Sequence, residues 1–269
     1  MEGTDTFADI GMAPLASLFQ ASDAVVLTVA GVFTRIAAAT FFVPGIGERV
    51  LSLRLRLGAA LALTALLWPL VRPLVPDTPS TVPGLAVLLI AEAFAGLLIG
   101  FGFRMLVFAL QIAGITAAYH LSITHVFGTG VAPEPEPTIA TMLTMGGIVL
   151  AMQAGLHIEL LAALARLYDV LPFGRFPNPG DAGAWSLART AEVFGIGLSL
   201  AFPFIAVSFA YNLALGALNR AMPQLLVALV GAPLLIGLGL VTLALVLPDL
   251  FARWGDLLAR IFADPLGGP

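Results

Sequence analysis

The sequence has no cysteine and no lysine, and charge of either sign is scarce. Without cysteine there are no disulfides, no thiolate metal sites and no cysteine nucleophile. All twelve basic residues are arginine, and the formal net charge is −4. No basic patch exists to track phosphates, so nucleic acid is excluded as a partner. Also missing are a phosphate-binding P-loop, a dinucleotide fingerprint, a nucleophile elbow, an HExxH signature and paired catalytic carboxylates. The three histidines do not compensate. His120 and His125 are five residues apart and do not align on a helix, while His157 and Glu159 are two apart and point to different faces. The expectation is therefore a protein with no catalytic centre, no cofactor and no metal.

What is abundant is hydrocarbon. Hydrophobic residues make up 59% of the chain and charged residues 10%, against about 25% charged in an ordinary soluble domain. Burial is incomplete even in a large fold, so a chain this apolar cannot hide its surface in water. Lipid or partner protein must act as its solvent. Six apolar stretches recur: Val25 to Val43, Leu57 to Val75, Leu85 to Leu121, Ile139 to Leu171, Ala191 to Leu218, and Leu225 to Leu247. Each reaches or approaches the ~20 helical residues that cross a bilayer. Ala, Leu and Gly dominate them and period-two alternation is absent, so they predict helices and not strands.

The fold class expected is all-α, a multi-pass set of hydrophobic helical hairpins with kinked or broken helices. The third and fourth stretches are too long for a simple span, because 37 helical residues run ~55 Å. Break points are expected at Gly114 with Gln111, and at Gly146-Gly147 or Gly155. Pro203, Pro223 and Pro233 predict further kinks. Turns are expected at Pro44 to Gly47, Pro76 to Pro79, Pro133 to Pro137 and Phe176 to Gly180. One domain over 1–269 is expected, with an N-terminal segment over 1–24, hydrophobic helices over 25–247 and an amphipathic tail over 248–269. In that tail Leu250, Phe251, Trp254, Leu257, Leu258 and Ile261 recur at helical spacing, which suits an interfacial or partner-bound helix. No positive residue precedes the first apolar stretch, so no cleaved secretory signal is expected.

Charges inside apolar stretches are costly and need a partner, a helix end or water. Arg35, Glu92, Arg104, Glu159 and Arg166 are such residues. Arg35, Glu92 and Arg104 are the candidate buried polar contacts; an ion path and plain structural pairing are both open readings. The positive-inside count does not set an orientation. With six spans, Arg72, Arg175, Arg189, Arg253 and Arg260 fall on one side, and Arg49, Arg54, Arg56 and Arg220 on the other. A weak internal echo, LLIGFGFR at 97–104 and LALGALNR at 213–220, fits the repeats of secondary transporters. A stand-alone transporter with a midplane site near Glu92 and Arg104 is thus the alternative reading.

The run from Tyr211 to Gln224, YNLALGALNRAMPQ, resembles the signature of the FliR family, in which an L-G-x-x-x-R-x-x-P-Q core follows an apolar helix. Its core residues here are Leu215, Gly216, Arg220, Pro223 and Gln224. Further matches follow in the family's order: Arg35, then Phe42-Val43-Pro44-Gly45, the basic Arg49 to Arg56 loop, Glu92 with Gly96 and Gly100, Gln111 to Gly114, and Gly155-Leu156-His157. The chain departs from the pattern at Tyr119 to Ser122, where relatives usually carry a Gln-Met-Gly-like turn, and at Leu156, where a second His is common.

Similarity to that family implies a non-enzymatic subunit of the flagellar type III export gate, also called the SpaR/YscT/HrcT family in secretion systems. It implies a FliP-like front part, a FliQ-like back part, and partners resembling FliP, FliQ and FlhB. The cargo would be unfolded exported proteins and the setting the bacterial inner membrane at the flagellar basal body, with membrane lipid as a further contact. The resemblance also places a pore-closing loop after the third stretch, at Tyr119, His120, Leu121, Ser122, Ile123, Thr124, His125, Val126, Phe127 and Gly128. Locally, Ile123, Val126 and Phe127 can exclude water and Gly128 permits a bend. An ordinary connecting loop is the plainer reading of the same residues.

Overall fold

The computed structural model describes residues 25–47, 51–74, 81–120, 138–221, 227–264 and 267. Helices account for nearly all of it, and no strand occurs among the described residues. In chain order they are α1 (Val25–Phe42), α2 (Leu53–Val71), α3 (Val82–His120), α4 (Thr138–Gln153), α5 (Leu156–Val170), α6 (Pro179–Ala221) and α7 (Val227–Ala263). A short 3-10 turn, Arg72–Leu74, follows α2. Among the described residues, five helices are long and apolar enough to cross a membrane, or six spans if α4 and α5 count as one broken span.

The sequence places its breaks only partly. α4 and α5 bend by 70° at their junction, where Gly155 adopts a φ of 92° that side-chain-bearing residues rarely reach. At Gly114 the helix does not break. A side-chain carbon there would strike the backbone of Ala140, so this glycine lets α3 and α4 approach. α4 likewise passes unbroken through Gly146-Gly147, and α6 and α7 stay helical through Pro203, Pro233 and Pro248.

Two boundaries also move. The turn expected at Phe176 to Gly180 instead contains the start of α6. Asn178 Oδ1 accepts the Gly180 N–H at 2.9 Å, Pro179 occupies the first helical position, where its missing N–H costs nothing, and Asp181 sits in the first turn. The tail over Asp249 to Phe262 is not a separate short helix but the continuation of α7. Leu250, Trp254, Leu257, Leu258 and Ile261 are buried within the chain itself, so its own helices cover much of the face that would otherwise need an interface.

The chain divides into two compact units, Met1–Phe101 with Ile158–Ala182, and Gly102–His157 with Gly183–Pro269. In the first, α1 buries Val32, Ile36 and Ala39, with Val43 just beyond its end, and α3 buries Leu88, Ala91, Ala95 and Ile99, each set at helical spacing. Gly96 and Gly100 of α3 lie against the carbonyl oxygens of Arg35 and Ala39. This is the small-residue spacing that lets two helix backbones approach. In the second unit the largest fully buried side chain is Trp254, whose Nε1–H donates to the Leu106 carbonyl at 2.8 Å.

Candidate functional site

The close approach of α1 and α3 brings together two charges that the sequence separates by 57 residues. Arg35 Nε donates to Glu92 Oε2 at 2.7 Å, and Arg35 Nη2 donates to Glu92 Oε1 at 2.9 Å. Both side chains are completely buried. An isolated charge in such surroundings would cost several kcal/mol. The planar guanidinium fork matches a carboxylate in two parallel bonds, which is the geometry best able to offset that cost.

The next contacts come from α5 and the corner after it. Gly174 N–H donates to Glu92 Oε1 at 2.7 Å, and the Tyr168 hydroxyl lies 3.4 Å from Glu92 Oε2. Arg35 Nη2 also donates to the Leu171 carbonyl at 3.1 Å. The guanidinium carbon sits 3.7 Å from the centroid of the Tyr168 ring, a cation–π contact, and that ring stacks on Phe173. The corner is a tight turn closed by Arg175 N–H to the Pro172 carbonyl at 3.2 Å. Gly174 stands at its third position with φ 71°, where a positive φ calls for glycine. Phe173 packs over Gly31 of α1.

Each oxygen of Glu92 thus accepts two hydrogen bonds, one from Arg35 and one from Gly174 or Tyr168. The carboxylate is closed to a substrate or a metal, and the arrangement suits a clamp between three helices. Among the described residues, only Arg35 Nη1 in this cluster has no hydrogen-bond partner.

Arg104 does not join the cluster. It is half-buried, with its guanidinium carbon 5.4 Å from the Phe108 ring centroid, about 18 Å along α3 from Glu92. Glu159 is half-exposed and Arg166 exposed on α5. In the Leu215, Gly216, Arg220, Pro223 and Gln224 motif, Leu215 is half-buried, while Gly216 and Arg220 are exposed near the end of α6. A side-chain carbon on Gly216 would touch nothing within 4 Å. Pro223 and Gln224 lie outside the described residues. Of the expected pore-closing loop, Tyr119 and His120 form the exposed end of α3, and the His120 carbonyl accepts the Ser208 hydroxyl at 2.8 Å. Leu121 to Gly128 lie outside the described residues.

Sequence reasoning missed a second polar cluster. Arg189, only 3% exposed, pairs with Glu192 at 2.8 Å and donates to the Gly267 carbonyl at 2.7 Å. The other oxygen of Glu192 meets Arg260 at 3.1 Å. The three-residue spacing of Arg189 and Glu192 was the available signal.

Large apolar side chains remain uncovered along α6. Leu187, Phe194, Leu198, Phe202, Phe209 and Leu213 are all more than half exposed. Their spacings of seven, four, four, seven and four residues place them along one side of the helix. The stripe runs ~39 Å at 1.5 Å per residue, longer than the ~30 Å hydrocarbon core of a bilayer.

Comparison with known proteins gives a consistent result. Residues 26–261 match the family described as bacterial export proteins, family 1. The flagellar biosynthetic protein FliR of Caulobacter vibrioides is 36% identical over 232 residues, covering 86% of this chain and 92% of that protein. The FliR of Pectobacterium carotovorum is 32% identical over 243 residues, 86% of this chain and 91% of the relative. That of Escherichia coli is 28% identical over 242 residues, 86% and 90% respectively.

Proposed function

Because the chain belongs to the FliR family of bacterial export proteins, and is a multi-pass membrane component of flagellar export, we propose that it forms part of the wall and closure of the export gate. In this reading it does no chemistry. It joins FliP-like and FliQ-like subunits, and a FlhB-like subunit, around a path for unfolded proteins in the bacterial inner membrane at the flagellar basal body. The whole chain works as one gate subunit, FliP-like in its front part and FliQ-like in its back part.

The observation that carries this reading is the exposed stripe on α6. A ~39 Å apolar face fits a ~30 Å hydrocarbon core only at a tilt of about 40°, the extreme for membrane helices, so at ordinary tilts part of it needs other cover. Partner helices supply the remaining cover. The exposed Gly216 and Arg220 near the end of the same helix then serve as contact points between subunits, together with Pro223 and Gln224. The Arg35–Glu92 clamp holds α1, α3 and the α5 corner in register for docking. Closure is assigned to Tyr119 through Gly128, with Ile123, Val126 and Phe127 excluding water.

Co-purification tests the assembly. The tagged chain, extracted in mild detergent, should carry stoichiometric small helical membrane subunits and aggregate when produced alone. A monodisperse lone chain that moves a small solute into liposomes would instead establish the transporter reading. Closure has its own test: deleting Thr124 to Gly128 should make cells bearing assembled gates leaky to small solutes. Unchanged permeability would remove the loop from that role.

A further inference from the structure

Within the second unit, the end of α3 is held by a side chain from another helix. His120 is the last residue of α3, so its carbonyl is among the four at a helix C-terminus that have no donor within their own helix. Ser208 of α6, only 2% exposed, supplies the donor, its hydroxyl lying 2.8 Å from that oxygen. Other hydroxyls in these helices stay at home. Thr34, Thr64, Thr190 and Thr242 each donate to the carbonyl four residues back in their own helix, the usual bond for such a side chain.

Asn212, one turn further along α6, accounts for the difference. Its Nδ2 donates to the Ser208 carbonyl at 2.9 Å. A carbonyl can only accept, so this bond fixes which end of the amide faces Ser208. The same Nδ2 lies 3.3 Å from Ser208 Oγ. A hydroxyl oxygen that accepts from the amide keeps its own proton for a further acceptor, and here that acceptor is the His120 carbonyl.

We propose that Ser208 and Asn212 are positioning residues for closure, a relay in which the Asn212 amide orients the Ser208 hydroxyl and the hydroxyl fixes where α3 ends. This rests on the reading that Tyr119 through Gly128 close the gate, and goes beyond it by naming what holds the first residues of that segment from another helix. Tyr119 and His120 are the last two residues of α3, so the bond falls where the helix passes into the closing segment. Without the hydroxyl the carbonyl has to compete for other donors, and the last turn of α3 is free to unwind or shift.

The test uses the assembled gate, both in cells and purified. Ser208→Ala removes the hydroxyl. Asn212→Leu removes the amide at an exposed position, where a side chain of similar size leaves the core untouched. Per assembled gate, each variant should raise small-solute leak about fivefold, the shift in an equilibrium that one net hydrogen bond controls. Amide exchange in the purified complex should quicken at Thr116 to His120 and stay unchanged at Phe103 to Leu110, whereas a general loosening quickens both. Deleting Thr124 to Gly128 in parallel separates the two readings. A leaky deletion with tight point variants overturns this inference and leaves closure by the loop standing; a tight deletion overturns both. Leak from only one of the two point variants breaks the relay and overturns the proposal, and so does exchange that quickens evenly along α3.

Discussion

Gly96 lies so close to Arg35 that a side-chain carbon on it would strike the Arg35 carbonyl oxygen. Glu92 is one helical turn earlier on the same face of α3, and it grips the side chain of that same arginine at 2.7 Å. The glycine therefore sets the interhelical distance at which the charge pair can form. A wider gap would leave two buried ions apart, where their desolvation outweighs their attraction.

The opposite signs of two glycine substitutions test this dependence. Gly96→Ala should destabilise by ~1–3 kcal/mol, the usual cost of overpacking. At Gly58 of α2, by contrast, a side-chain carbon would meet nothing within 4 Å. Gly58→Ala should stabilise by ~0.5–1 kcal/mol, the helix preference of alanine over glycine. Unfolding of the two variants in the same detergent decides it; equal shifts would separate Gly96 from the clamp.

Breaking the pair should cost more than replacing it. Arg35→Met or Glu92→Leu alone should each destabilise by ~3–5 kcal/mol, since each strands a buried charge. The double variant should lose much less than the sum of the two. Swimming of complemented cells and the amount of chain in their membranes should follow the same order. Additive losses would show that the two groups act separately.

At the junction of α4 and α5, Gly155→Ala places a side chain at φ 92°. Holding that conformation should cost ~1–3 kcal/mol. The variant should show a lower melting temperature and earlier proteolytic cutting near Gln153. Unchanged melting would mean that the junction tolerates a different backbone path.

Trp254 combines packing with hydrogen bonding. Trp254→Phe removes the donor to the Leu106 carbonyl together with part of the ring volume and should cost ~1–3 kcal/mol. Trp254→Ala empties the centre of the second unit and should cost ~3–5 kcal/mol. Thermal unfolding followed by intrinsic fluorescence of the remaining tryptophans distinguishes the two losses.

Much of the fold was legible because its signal is long. Apolar stretches that reach or approach the ~20 residues of a span predict helices whatever their exact ends, and Arg35 and Glu92 stand out as charges within them. Tyr168 and the Gly174 N–H were not legible. Tyr168 sits in an ordinary amphipathic pattern, and a backbone donor leaves no mark on a sequence until a turn aims it. The start of α6 was readable in Asn178, Pro179 and Asp181, but two neighbouring prolines and Gly180 made the segment resemble a loop. Arg189 misled in another way. Counted as a topological charge, it is a buried member of a network with Glu192 and Arg260, so the arginine tally could not report orientation.

The interruption between Gln153 and Leu156 has a consequence for depth. Near it, the last carbonyls of α4 run out of helical donors, and oil provides no substitute. α4 and α5 have 16 and 15 residues, roughly 24 and 22 Å of rise, and neither leg alone reaches from one leaflet's headgroups to the other's. With a bend of 70° between them, the two legs do not form one straight pillar, and any backbone group left open at the elbow has to find water or a neighbouring chain.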